Sequence, residues 1–213
     1  MLKLQNDLSK AEIRKICLDI RNSIEASEHE DYTKSIWNKL YEMPVYVNSN
    51  CVLTYASFGS EPSTIFLITR ALSDGKRVYC PRILDDNMEF VRVKSISDLK
   101  PSGKYNIPEP QKTAYDEIFD NSSDYNSICI MPALSVDRYG TRLGYGKGYY
   151  DKYLYAINRN KTVGNDKFVL ICGIFSSLLT EKLPKYTHDI LVDIIITEEE
   201  VLKPKELYRK VFI

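Results

Sequence analysis

Four glycines fall within nine residues, Gly140, Gly144, Gly146 and Gly148, with Arg142 and Lys147 between them. Such a stretch can hold an anion. Glycines let backbone N–H groups approach phosphate oxygens, and Arg and Lys supply full positive charges. Its flanks fit the same chemistry. Residues 127–131 (SICIM) form a short, mostly apolar run bounded by polar residues and Pro132, the pattern of a buried strand. Beyond the glycines, Tyr150, Tyr153, Leu154 and Ile157 recur at i, i+3, i+4 and i+7. That spacing predicts a helix whose N-terminus adds positive potential at the loop. Neither widespread phosphate-binding pattern is matched. A P-loop would need Gly at Thr141 and Ser or Thr at Gly148, and the dinucleotide pattern would need Gly at Tyr149. The competing interpretation is a glycine-rich tight turn with solvated basic residues.

Other residues could serve such a site. Asp151 lies just past the loop, and Asp189 follows His188 in a connection between two apolar runs. Two carboxylates beside phosphate would suit Mg²⁺, which takes few protein oxygens and completes its shell from phosphate and water. Otherwise each is a cap or a surface charge. Glu61 stands in a strand-to-helix loop, where ligands bind in open α/β sheets, so it either accepts a hydrogen bond from substrate or stabilises the following helix N-terminus. Lys10, Arg14 and Arg21 share one side of the first helix and, as a bare charge pattern, read as a solvated face. His29 starts a surface-like helix and carries no assignment. No Ser–His or Cys–His pair stands out, which counts against covalent nucleophilic catalysis.

The elements that must position these residues alternate between strand and helix. Ser9 and Glu12 have capping-box spacing before a stripe of Ile13, Ile16, Cys17, Ile20 and Ile24. Ser27 and Glu30 repeat that spacing before Tyr32, Ile36, Trp37 and Leu40, with Pro44 beyond. Residues 51–56 read as the first central strand, 63–72 as a helix closed by Asp74-Gly75, and 77–80 as a second strand ended by Pro81. Residues 87–93 look like a two-sided, more exposed strand, and 168–175 and 191–197 are further apolar strands. The Pro-punctuated stretch 95–124 is a long connection, of the kind that is often functional. These features predict a single α/β domain over 1–213, a three-layer sandwich with a largely parallel central sheet flanked by helices.

Composition narrows the partners. Lys plus Arg and Asp plus Glu are 29 each, and this neutrality argues against a mainly electrostatic nucleic-acid or membrane partner. Five scattered cysteines without a C-x-x-C read as small buried hydrophobes. No secretory signal or run of transmembrane length is visible, so the expected home is a reducing cytoplasm. A monomer is expected.

The block Met131-Pro132-Ala133-Leu134 through Asp137, Gly140, Arg142-Leu143-Gly144, Gly146 and Gly148-Tyr149-Tyr150-Asp151 resembles the 5-formyltetrahydrofolate cyclo-ligase family. Ordered matches surround it: Lys10 and Arg14, Glu61 with Thr64, Gly75 to Val78 with Pro81, Ile107-Pro108-Glu109-Pro110, Leu183-Pro184, His188-Asp189 and Asp193. The stretches 111–126 and 158–167 match no family motif. The resemblance implies ATP- and Mg²⁺-dependent conversion of 5-formyltetrahydrofolate, alone or polyglutamylated, to 5,10-methenyltetrahydrofolate with release of ADP and phosphate. It implies ATP contacts at Lys10 and Arg14, reversing the solvated reading of those two, and at Arg142, Leu143, Gly144, Tyr145, Gly146, Lys147, Gly148, Tyr149 and Tyr150. Arg142 and Lys147 would be the catalytic charges. Asp151 and Asp189 would hold Mg²⁺. Folate would lie against Phe58, Glu61, Tyr105, Tyr149 and Tyr150, with Glu61 on the pterin and Tyr105 stacked on its face.

Overall fold

The computed structural model describes residues 2–4, 8–103, 106–120, 126–159, 168–187 and 189–204. Helices α1 (Lys10–Asn22), α2 (Ala26–Glu42) and α3 (Pro44–Val47) lead into β1 (Cys51–Thr54). Helix α4 (Ile65–Ser73) then connects to β2 (Arg77–Leu84) and β3 (Asn87–Val93). A small antiparallel pair, β4 (Leu99–Ser102) and β5 (Ile107–Pro110), lies within the connection that showed no periodicity, and β6 (Ser127–Ile130) follows. Next come β7 (Ser135–Asp137), β8 (Arg142–Leu143), α5 (Tyr149–Arg159) and β9 (Phe168–Gly173). The last strands are β10 (Leu179–Thr180), β11 (Ile194–Ile196) and β12 (Val201–Leu202).

The main sheet has seven strands in the order β12-β11-β9-β6-β1-β2-β3. Strands β11, β9, β6, β1 and β2 run parallel, and the edges β12 and β3 are antiparallel. From β1 the chain steps one way through α4 to β2, and from β6 it steps the other way through α5 to β9. Right-handed crossovers taken in opposite directions put α4 and α5 on opposite faces, which makes the three layers. Helix α2 joins the α4 face, where the Trp37 indole Nε1 donates to Ser63 O at 2.7 Å. On the other face the Phe90 ring of β3 meets Tyr150 and Tyr153 of α5, with centroids 5.9 and 5.1 Å apart. Every residue of β1 and β6 is buried, as strands covered on both faces must be. All five cysteines are buried and free. Among the described residues no helix is long and apolar enough to cross a membrane.

Three local expectations change. The Ser9–Glu12 capping box forms, but α2 starts at Ala26 with Glu25 as N-cap, because the short connection from α1 is already turning there. Ser27 therefore sits inside the first turn. Pro81, expected to end β2, lies within it. Arg77 N–H donates to Asn50 O on the β1 side, so Tyr79 and Pro81 face that side too. The β1 ladder stops with Leu53 opposite Tyr79, so Pro81 lacks an N–H only where β1 has ended, while it pairs with Phe90 of β3. Strand β3 is also more buried than its alternation suggested, since Phe90, Val91 and Val93 are all core.

Candidate active site

Strands β1 and β6 are neighbours, in register from Cys51 opposite Ser127 to Thr54 opposite Ile130. The chain leaves them in opposite directions, so the loops at their carboxyl ends part and leave a crevice, the switch point at which open α/β sheets bind ligands. The loop after β1 carries Glu61. The loop after β6 carries the four glycines.

The first loop is locked by a reciprocal pair. Ser57 N–H donates to Thr64 Oγ1 and Thr64 N–H to Ser57 Oγ, both at 3.0 Å, while the Thr64 hydroxyl donates to Tyr55 O at 2.7 Å. This turns Glu61 inward, to 3% exposure. Its Oε2 accepts from Phe58 N–H at 3.0 Å and its Oε1 from the Tyr145 hydroxyl at 2.7 Å. Thr64 is the N-cap of α4, so Glu61 is not the residue that ends that helix. Burial raises the Glu61 pKa, and the bonds from Tyr145 and Phe58 and the nearby Arg21 charge pull it back.

Arg21 corrects an expectation. It is 2% exposed rather than solvated, because it continues the buried row Ile13, Cys17, Arg21 of α1 at steps of four. Its Nε donates to Ser60 Oγ at 3.1 Å and its Nη2 to the Tyr145 hydroxyl at 2.7 Å. His29, which had no assignment, holds the same loop. Its Nε2 lies 3.2 Å from Ser60 O and 3.1 Å from Glu61 O, and two carbonyl acceptors require that this nitrogen carry the hydrogen. Arg21 was recoverable from its i+4 relation to Cys17. His29 had no local signal, since its partners are backbone atoms of another loop.

The glycine stretch is not one loop. Its start folds with β10 into a small sheet of order β10-β7-β8. The Asp137 carboxylate knits this piece together, accepting from the N–H groups of Tyr139, Thr141 and Leu183 at 3.0, 2.9 and 2.9 Å. Leu143 is core, so only its backbone borders the site. Gly144 O accepts from Arg14 Nε at 2.8 Å. Gly146, at φ +98°, lies against the Arg14 guanidinium, whose Cζ would be 3.2 Å from a Cβ placed there. The Arg142 side chain is 6% exposed and donates through Nη2 to Asp151 Oδ1 at 2.9 Å. Its Nε is buried without a partner among the described residues, a donor that calls for an acceptor oxygen. Helix α5 opens directly after Gly148, so its N-terminus faces the loop.

The remaining expected residues divide. Lys147 is exposed. The Tyr149 hydroxyl donates to Asp85 O at 3.4 Å, whereas the Tyr150 hydroxyl is buried and unpartnered among the described residues. The Phe58 and Tyr145 rings lie 5.6 Å apart between centroids. Tyr105 and His188 lie outside the described residues. Lys10 Nζ donates to Asp189 Oδ2 at 2.7 Å, and Asp189 Oδ2 also accepts from Tyr186 N–H at 2.8 Å. Ile190 N–H approaches Asp151 Oδ1 at 3.4 Å, so the segment carrying Asp189 runs beside Asp151. Among the described residues no three His, Cys, Asp or Glu side chains gather to hold a metal. Two anchored carboxylates on neighbouring segments are the kind of donor set that an Mg²⁺ arriving with phosphate would use.

These features define an α/β protein with a cationic glycine loop and a buried carboxylate at its sheet's switch point. The chain belongs to the 5-formyltetrahydrofolate cyclo-ligase family, whose profile matches residues 6–198. It is 30% identical over 176 residues to a probable 5-formyltetrahydrofolate cyclo-ligase of Schizosaccharomyces pombe, covering 79% of this chain and 85% of that one. The 5-formyltetrahydrofolate cyclo-ligase of Escherichia coli is 28% identical over 186 residues, covering 85% and 96%. The solved structure of Aquifex aeolicus 5,10-methenyltetrahydrofolate synthetase superposes with a TM-score of 0.76 at 26% identity, over 93% of this chain and 94% of that one.

Proposed function

We propose that this chain closes 5-formyltetrahydrofolate to 5,10-methenyltetrahydrofolate, using ATP and Mg²⁺ and releasing ADP and phosphate. Family membership supports the overall conversion. The observation that carries the site assignment is the convergence of the Arg142 loop and the buried Glu61 on one crevice, through the 2.7 Å bond from Tyr145 to Glu61.

An N-formyl group is amide-like, so its carbon is a weak electrophile and its oxygen a poor leaving group. The formyl oxygen attacks the γ-phosphorus of ATP, and ADP departs. N10 of the folate then adds to the activated carbon and closes a five-membered ring. Loss of the N10 proton and of phosphate, which carries off the former formyl oxygen, leaves the methenyl cation. Both nucleophiles belong to the substrate, so the protein needs alignment and charge stabilisation rather than a nucleophilic side chain. Arg142, whose Nε has no partner among the described residues, Arg14 and Lys10 are the cations for the nucleotide, and exposed Lys147 can reach it from outside. Asp151 and Asp189 are the oxygens for Mg²⁺, which when bound neutralises phosphate charge. Glu61 accepts hydrogen bonds from the pterin, with Phe58, Tyr149 and Tyr150 as walls.

The test is direct. Purified protein mixed with 5-formyltetrahydrofolate, ATP and Mg²⁺ should develop the near-ultraviolet band of the methenyl product. No rise over an enzyme-free control overturns the reading.

A further inference from the structure

Tyr145 lies in the glycine loop, yet its hydroxyl serves the opposite wall. It donates to Glu61 Oε1 and accepts from Arg21 Nη2, each at 2.7 Å. The bond to Glu61 joins residues 84 positions apart and crosses the crevice between the loops that follow β6 and β1. An ionised carboxylate offers about four acceptor positions on its two oxygens. Phe58 N–H takes one on Oε2 and Tyr145 one on Oε1, which fixes the plane of the group and leaves acceptor capacity for a ligand. Arg21 and Glu61 are both buried, and the phenol hydroxyl links the two opposite charges.

We propose that Tyr145 is a positioning residue: backed by Arg21, it holds the Glu61 carboxylate in the orientation that receives the pterin, so folate recognition depends on the conformation of the phosphate loop. This rests on the cyclo-ligase reading of Glu61. Ordinary loop flexibility on the nucleotide side is then transmitted to the folate side through one hydroxyl. Tyr145→Phe isolates that hydroxyl, because the ring that packs near Phe58 is kept.

A double-mutant cycle of Tyr145→Phe and Glu61→Gln tests the link. Tyr145→Phe should raise KM for 5-formyltetrahydrofolate about tenfold, the scale of one hydrogen bond to a charged group, with KM for ATP little changed. In the Glu61→Gln background the same substitution should add little, because its route is already cut. Additive losses, or a loss confined to ATP, overturn the proposal. A second measurement needs no turnover. In protein carrying ¹³C-labelled glutamate, the carboxyl signal absent from Glu61→Gln belongs to Glu61, and it should titrate at higher pH in Tyr145→Phe. The titratable and charged groups around Glu61 are Arg21 from α1, His29 from α2 on its backbone carbonyl, Tyr55 beyond β1, Tyr145 from the loop and Tyr150 from α5, and only the Tyr145 hydroxyl is deleted. An unmoved titration overturns the proposal. A wild-type chain that fails to close 5-formyltetrahydrofolate counts against the activity alone, since the titration still reads the bridge.

Discussion

Lys10 and Asp189 stand 179 positions apart in sequence and 2.7 Å apart in space. The same ammonium lies 3.9 Å from the centre of the Tyr186 ring. Arg142 and Asp151 make a parallel arrangement at 2.9 Å. Each carboxylate proposed for Mg²⁺ is therefore held by a cation proposed for ATP. Both pairs are sheltered, with side-chain exposures of 13% and 15% and of 6% and 24%. Asp151 and Asp189 would hold the metal and Lys10 and Arg142 the phosphates, so that Mg²⁺ and ATP bound together would give each charge a new opposite partner. Either ligand alone would leave one partner of each pair uncompensated, which is costly in a sheltered site. ATP affinity measured by calorimetry should rise steeply with Mg²⁺, and equal affinity with and without the metal would show that the pairs do not exchange.

Lys10→Met separates the nucleotide from the folate. It deletes a charged donor, a loss of about 1.5–3 kcal/mol, so KM for ATP should rise at least tenfold while KM for 5-formyltetrahydrofolate stays near wild type. Equal changes in both constants would mean that Lys10 only ties α1 to the segment around Asp189.

Asp151→Asn keeps the shape of the side chain and removes its charge. Turnover should fall steeply and the Mg²⁺ requirement should weaken or shift to higher concentration. The buried Arg142 guanidinium also loses its ionic partner, so the urea midpoint should drop by an amount equivalent to about 1–3 kcal/mol. An unchanged Mg²⁺ titration would reduce Asp151 to a residue of the first turn of α5.

The Glu61 carboxyl sets an acid limit. Burial raises its pKa above the 4.5 of an ordinary glutamate, so it takes up a proton at a higher pH than an exposed carboxylate. The protonated form favours folding: that contribution is complete below 4.5 and lost as pH rises through the folded value. Folate recognition runs the other way, since protonation removes an acceptor. On acidification kcat/KM for 5-formyltetrahydrofolate should fall before that of a site built on an exposed carboxylate, with KM for ATP less affected. Glu61→Gln should abolish this limb along with most folate affinity. A limb that survives in Glu61→Gln would assign it to another group.

Much of this architecture was legible because its causes are local. Alternation of apolar runs with 3.6-residue stripes gave the layers, and the Ser9–Glu12 spacing placed the start of α1. The glycine stretch between a buried strand and a helix was legible, but its division into β7, β8 and the loop proper was not, since Asp137 builds that piece with N–H groups as distant as Leu183. Arg21 misled for a related reason. A charge on a helix reads as solvated until a second loop brings Tyr145 and Ser60 to meet it. Pro81 misled because the partner strand on one side stops just before it, a fact of register that the strand's own residues do not contain.

Gly146 offers the sharpest separation of backbone from contact. At φ +98° any L side chain is strained, by roughly 1–2 kcal/mol, and an alanine Cβ would also press to 3.2 Å from Arg14 Cζ. Gly148, at φ +69°, would bear a similar backbone strain, but its Cβ would meet nothing within 4 Å. Both Gly146→Ala and Gly148→Ala should therefore lower Tm by a few degrees, on the order of 2–8 °C for a chain of this length. Only Gly146→Ala should push the Arg14 guanidinium from Gly144 O, where its Nε now donates at 2.8 Å, and so only it should raise KM for ATP well beyond what its lost stability explains. Matching ATP constants for the two variants would show that Arg14 does not depend on the bare backbone at Gly146.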